Sequence, residues 1–317
     1  MTPALPANPR LDALQPYPFE RLRALLAAKP TGPQPSSLPL VDLSIGEPRH
    51  PTPPVVLNAL AGATDGLASY PATAGTPALR EAIAAWIRRR YDTPVDAATQ
   101  VLPVNGSREA LFSFAQAMLD PAPAGTQVVI APNPFYQIYE GASLLAGARL
   151  HLLDQRPDNG FRVDWTQVPD SLWPQVKLVY VCSPSNPTGA VMDLDEWHTL
   201  FALADRHGFI IASDECYSEI WRDAPPPGAL AVAEGMGLPD RVMMFNSLSK
   251  RSNLPGLRSG FAAGSAEAIT RFDEKGRGLV RLTLDGQIVQ LLATLEPEER
   301  DRGVRVLKGD SVLVVGV

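Results

Sequence analysis

Cysteine is almost absent from this chain of 317 residues. The two present, Cys182 and Cys216, make no C-x-x-C pair and sit in strand-like apolar runs, so a disulfide framework is excluded and the usage fits a reducing cytoplasm. Histidine is equally sparse: four are scattered along the chain, none beside a suitable metal-ligating neighbour, and no metal site is expected. No apolar run reaches the length of a membrane span, and residues 1–10 are proline-rich without an apolar stretch, so neither a membrane helix nor a secretory signal is expected. Positive charge is not in excess either. Twenty-eight Lys and Arg against thirty-four Asp and Glu, for a net charge of −6, leave no basic footprint for nucleic acid.

What is present is an apolar fraction of 45%, enough to bury a full core in one large domain plus something smaller. Prolines crowd residues 1–40, which reads as an extended arm interrupted by one amphipathic helix over 18–28. Beyond it, strand patterns at 41–48, 101–104, 127–131, 147–153, 176–182, 209–217 and 241–245 alternate with helical patterns at 54–63, 77–91, 110–119 and 194–207. That alternation predicts an α/β fold: a mostly parallel sheet with helices on both faces, in three layers. In such sheets ligands sit at the carboxyl ends of the strands, where the chemistry-bearing loops of this chain also fall.

Five of those loops and one strand end carry candidate residues. In 247–261, Ser247, Ser249 and Lys250 follow a strand and Arg258 comes eight residues after the lysine. Two hydroxyls and a guanidinium can hold an anion beside a lysine that forms an imine with a phosphorylated aldehyde. Alone, the stretch is equally a solvated basic loop. Asn105, Gly106, Ser107 and Arg108 join a strand to a helix, a geometry that aims free backbone N–H groups at an anion, although the loop is neither a Walker nor a G-x-G-x-x-G motif. Tyr136 ends a strand where an aromatic can stack on a planar ring or simply pack. Asn186 sits between two prolines at another strand's end, and Gly46 closes 41–48 as either an open backbone position or an ordinary turn. Asp214 follows four apolar or small residues, an expensive place for a carboxylate unless a cation or protonated ring nitrogen pairs with it, and Tyr217 lies three residues on.

Ser-Asn-Pro-Thr-Gly at 185–189, Ser-Asp-Glu-Cys-Tyr at 213–217, and Ser-Leu-Ser-Lys at 247–250 with Arg258 eight residues later together resemble the class I/II, fold-type I aminotransferases that use pyridoxal 5′-phosphate. The wording of 249–261 is most similar to bacterial succinyldiaminopimelate aminotransferases of lysine biosynthesis. The resemblance implies that Lys250 holds the cofactor covalently and moves the proton, that Asp214 pairs with the ring nitrogen, and that Tyr217 and Asn186 hydrogen-bond the ring oxygen. It implies further that Tyr136 stacks on the ring. Gly106, Ser107 and Arg108 through their backbone, and Ser247, Ser249 and Arg258 through their side chains, would hold the phosphate. Tyr70 would reach the phosphate of a neighbouring subunit, making a homodimer, and Gly46, with Asn186, would lie beside the substrate. An amino acid and a keto acid are the implied substrates, N-succinyl-LL-2,6-diaminopimelate and 2-oxoglutarate the pair implied by the closest wording.

The motifs cover residues 41–264, and a β-rich tail is expected over 266–317. Residues 278–292 and 303–317 alternate as strand, Asp-Gly or Lys-Gly-Asp turn, strand, similar to a fragment of an OB-like barrel. The segment 278–282 also resembles the family's stretch around the arginine that grips the substrate carboxylate, which would make Arg281 that residue. Two other functions fit the same motifs: a β-eliminating lyase using Lys250, Asp214 and Arg258, and a cofactor-binding protein impaired because the β-rich tail stands where the family's small C-terminal domain, which closes the cleft, is expected.

Overall fold

The computed structural model describes residues 9–14, 18–27, 46–120 and 125–276. It divides into two units, Met1–Glu47 and Pro48–Val317. In the first, α1 (Pro18–Ala27) is the helix expected there. Of the strand expected over 41–48, residues 41–45 lie outside the described residues and 46–48 carry no regular structure.

The second unit runs, in order, α2 (Pro54–Ala61), α3 (Pro77–Tyr91), β1 (Val101–Val104), α4 (Ser107–Met118), β2 (Val128–Asn133), α5 (Ile138–Leu145), β3 (Arg149–Asp154), β4 (Val176–Cys182), α6 (Leu194–His207), β5 (Ile210–Asp214), α7 (Ala229–Gly235), β6 (Val242–Ser247), α8 (Leu248–Arg251), β7 (Gly260–Gly264) and α9 (Ala266–Gly276). The long helices begin and end on local signals. The Thr76 hydroxyl accepts from the Leu79 amide at the start of α3, with Pro77 in its first turn, and Asp193 and Glu196 form a reciprocal capping box at the start of α6, which stops at Gly208 in the left-handed region.

The strands form one sheet in the order β1-β7-β6-β5-β4-β2-β3. Every pair is parallel except the two made by β7, which lies antiparallel between β1 and β6. The sheet is therefore mixed, mostly parallel as expected, with one strand that the sequence pattern did not signal. Alternate residues of each strand face opposite layers. Val242 and Met244 pack with α3, α6 and α7 on one side, while Met243 and Phe245 pack with α4, α5 and α9 on the other. Burial on both faces is why these strands read as near-continuous apolar runs.

One expectation is corrected. A tail distinct from the large domain was placed from residue 266, but Ala266–Gly276 is a helix whose Ala268, Ile269 and Phe272 are buried against the α4 side of the sheet. Phe272 meets Phe114 edge-on at 5.6 Å and Phe245 at 6.5 Å, and Phe114 meets Phe245 at 5.3 Å. The strands expected at 278–292 and 303–317 lie outside the described residues. If α9 is integral to the layer, Phe272→Ala should cost about 3–5 kcal/mol, read as a lowered urea midpoint. A loss below about 1 kcal/mol would show that the helix is an appendage.

Candidate active site

Three strand ends come into register at one sheet edge. Cys182 of β4 is paired with Asp214 of β5, and Asp214 with Phe245 of β6, so the loops that leave these strands start side by side. Those loops carry Asn186, Tyr217, and Ser247 to Lys250. On the far side Val104 of β1 pairs with Gly260 of β7, and Gly260 with Ser247. That brings Gly106 and Ser107 to the same edge as Ser249 and Arg258.

The anion seat is built from that second group. The first intrahelical bond of α4 runs from the Ala110 amide to the Gly106 carbonyl, which leaves the amides of Ser107, Arg108 and Glu109 without partners inside the helix. Gly106 has φ of +107°, and a Cβ there would collide with the Arg258 guanidinium, so only glycine lets the two approach. Arg258 bonds Ser249 Oγ at 3.4 Å and the Pro255 carbonyl at 3.1 Å. The two serines divide the work. Ser247 is buried and its hydroxyl caps α8, accepting from the Ser249 amide at 3.1 Å, with Ser249 Oγ at 2.9 Å and the Ser259 carbonyl at 3.2 Å as acceptors for its proton, whereas Ser249 turns toward Arg258.

Asp214 stands at the other end. It is 4% exposed, and its carboxylate accepts from the Tyr139 hydroxyl at 2.9 Å and the Cys216 amide at 3.3 Å. None of the ion pairs among the described residues involves it. Burial raises its carboxyl above the usual range, and the bonds from Cys216 and Tyr139 oppose that rise. Around it lie the half-buried Tyr217, raised by desolvation, and Tyr136, whose phenol desolvation pushes up to about 12 although the Arg108 charge opposes it. Both phenols stay protonated and available as donors at neutral pH. Lys250 is half-buried on α8.

Comparison with known proteins bears directly on this arrangement. The profile described as "Aminotransferase class I and II" matches residues 39–294. This chain belongs to that family. The match runs beyond Gly264, where the motifs alone stop, through α9 and across 278–282. Among curated relatives, the LL-diaminopimelate aminotransferase of Desulforudis audaxviator is 32% identical over 89% of this chain and 69% of its own length. The 4-dedimethylamino-4-oxo-anhydrotetracycline transaminase OxyQ of Streptomyces rimosus is 40% identical over 82% of this chain and 64% of its own. Among solved structures, an aminotransferase from Neisseria meningitidis is 47% identical with a TM-score of 0.83, covering 90% of this chain and 72% of that one. The chain thus spans about two-thirds of the length of the curated relatives it matches.

The family's cofactor is pyridoxal 5′-phosphate, and the residues of this aminotransferase fit it. A buried carboxylate without a cationic partner suits a protonated ring nitrogen, and the cradle at Gly106, with its free amides beside Arg258, suits a phosphate. Among the described residues no helix is long and apolar enough to cross a membrane.

Of the expected site residues, the register gathers Gly106, Ser107, Arg108, Asn186, Asp214, Tyr217, Ser247, Ser249, Lys250 and Arg258 at one edge, and the charge coupling of Tyr136 to Asp214 and Arg108 adds Tyr136 to them. Tyr70 is 87% exposed, and Gly46 belongs to the first unit. Three participants had not been anticipated. Glu109 bonds Arg258 at 2.8 Å, Cys216 Sγ lies 2.8 Å from Ser107 Oγ, and Tyr139 bonds Asp214. Cys216 lies within the 213–217 motif and Glu109 directly follows Arg108, so adjacency to the named site residues is the available signal. Tyr139 stands on α5, a helix absent from the sequence reading.

Behind the edge, Glu215 is fully buried and accepts from the Tyr91 hydroxyl at 2.8 Å, the Ser213 hydroxyl at 2.9 Å and the Ala229 amide at 3.0 Å. Burial nevertheless pushes its carboxyl up to about 7 from an ordinary 4.5. Between those values the folded chain keeps a proton that the unfolded chain has released. The associated stability is therefore present in full below the lower value and lost as pH rises through the upper one. Glu215→Gln, which stays neutral, should gain on the wild type by on the order of 2–3 kcal/mol between pH 4.5 and pH 8. Urea titrations at both pH values check this, and an unchanged difference would contradict it.

Proposed function

We propose that this chain transfers an amino group between an amino acid and a keto acid, with N-succinyl-LL-2,6-diaminopimelate as donor and 2-oxoglutarate as acceptor. The observation that carries the reading is the convergence on one sheet edge of a buried carboxylate from β5 with a lysine and a guanidinium from the loop after β6. The acylated donor rests on the wording of 249–261. The curated relatives named for the unacylated LL-diaminopimelate support the same class of substrate.

Bound pyridoxal phosphate supplies an aldehyde to carry the amino group and a ring that accepts the electron pair left when the α-proton departs. The protein's share follows from its side chains. Asp214 holds a proton on the ring nitrogen, and its burial makes that ionic contact strong. Lys250 would hold the aldehyde, and its amine, when free, would take the α-proton and return it. Tyr217 and Asn186 would donate to the ring oxygen, and Tyr136 would cover one ring face. The amides of Gly106, Ser107 and Arg108, with Ser249 and Arg258, hold the phosphate, while Ser247 fixes the serine loop. By the family resemblance, Gly46 would lie beside the substrate carboxylate and Arg281 would grip it. The working form is a homodimer in the cytoplasm, where Tyr70 reaches the phosphate held by the partner subunit.

The test is spectroscopic. Purified protein with pyridoxal phosphate should give a borohydride-reducible adduct that Lys250→Ala abolishes. Its absorbance should shift on adding N-succinyl-LL-2,6-diaminopimelate and return on adding 2-oxoglutarate. Absence of a reducible adduct at Lys250 would sink the reading, an adduct that no amino acid shifts would leave a cofactor-binding protein only, and a response confined to unacylated diaminopimelate would move the substrate.

A further inference from the structure

The hydroxyl of Tyr139 has no packing reason to be where it is. The residue is 1% exposed on the first turn of α5, and its ring lies flat on Tyr180 with centroids 4.5 Å apart and planes 7° from parallel. Tyr136 meets it edge-on at 6.0 Å. Phenylalanine would satisfy every one of these contacts. A buried hydroxyl costs desolvation free energy that only a good partner offsets, and here the partner is Asp214 Oδ2 at 2.9 Å.

The surroundings hold that hydroxyl in one place. The Tyr180 hydroxyl donates to the Leu111 carbonyl at 2.7 Å, tying the stacked ring on β4 to α4, and Ser143 Oγ donates to the Tyr139 carbonyl at 2.6 Å, bracing the turn from which Tyr139 projects. A phenol that donates to a carboxylate favours its charged form. The other Asp214 oxygen accepts from the Cys216 amide at a longer 3.3 Å, and the Cys216 thiol, 2.8 Å from Ser107 Oγ, also bonds this carboxylate. Facing Asp214 from the neighbouring elements are Cys182 on β4, Cys216 and Tyr217 after β5, and Tyr136 after β2, all neutral groups whose burial favours the uncharged state. Phe245 on β6, paired beside it, is apolar. Tyr139 thus joins Cys216 in keeping this carboxylate ionised, and its ring, held by stacking, fixes the direction from which Oδ2 is approached.

We propose that Tyr139 is a positioning residue for cofactor binding: by donating to Asp214 it keeps the carboxylate charged and aimed at the ring nitrogen. The inference rests on the reading of Asp214 as the ring-nitrogen partner. It touches no reacting atom itself.

The test is a double-mutant cycle on pyridoxal phosphate affinity, measured by absorbance titration of the full chain at several pH values, with urea midpoints to confirm that each variant is folded. Tyr139→Phe should weaken binding at neutral pH by about ten-fold, as expected for one hydrogen bond to a charged group. The fall in affinity on acidification should begin at higher pH than in the wild type. In an Asp214→Asn background the same substitution should change affinity by less than about two-fold, because the carboxylate through which it acts is gone. If Asp214→Asn weakens binding and Tyr139→Phe does not, or if Tyr139→Phe costs the same in both backgrounds, Tyr139 merely packs. If Asp214→Asn itself binds as the wild type does, the reading of Asp214 falls and this inference with it.

Discussion

A carboxylate buried without a cation is the constraint on which the rest of this structure turns. Asp214 ends a central strand flanked by parallel neighbours and covered by helices on both faces, and water is kept from it. Such a charge costs several kcal/mol to bury unless a positive group arrives. The sheet concentrates that cost at one point, and Tyr139 with the amide and thiol of Cys216 hold the group ready without neutralising it. A ligand bringing a protonated nitrogen recovers the cost, so stored electrostatic free energy becomes affinity for one kind of ring.

The opposite end of the cleft is arranged in the complementary sense. Free amides at the start of α4, the serine loop and Arg258 make a positive seat, and Arg258 is held there by Glu109 and Ser249. An elongated molecule with a cationic ring at one end and an anionic group at the other satisfies both. Register supplies the spacing: Cys182, Asp214 and Phe245 lie abreast, Ser247 lies beside Gly260, and Gly260 lies beside Val104. One lateral row of backbone hydrogen bonds therefore sets the distance between the two charge-bearing ends.

Much of this was legible in the residues, for reasons that are local. Apolar runs bounded by glycine and proline mark β1, β2, β4, β5 and β6 because strands buried on both faces cannot afford polar interruptions. Asp214 stood out because it breaks such a run. What escaped has physical causes as well. Strand β7 is Gly-Phe-Ala-Ala-Gly, small residues with little strand propensity, chosen by tertiary fit: a Cβ on Gly260 would strike the Asn246 carbonyl. Helix α5 carries no start signal, neither a capping side chain nor the first-turn proline that marks the equally short α2, and with it went Tyr139. Helix α9 lies beyond the motifs, which end at Gly264, and its apolar face continues to Phe272. The capping role of Ser247 needed coordinates, because the two serines of 247–249 are indistinguishable by type and only the helix start separates them.

The central claim is spatial, and a crystal structure of this chain with pyridoxal phosphate addresses it most directly. The account predicts the ring nitrogen within hydrogen-bond distance of an Asp214 oxygen, the phosphate against the amides of residues 106–108 and Arg258, and continuous density from the aldehyde carbon to Lys250. A phosphate seated away from Arg258, or a ring whose nitrogen meets no carboxylate, would contradict it.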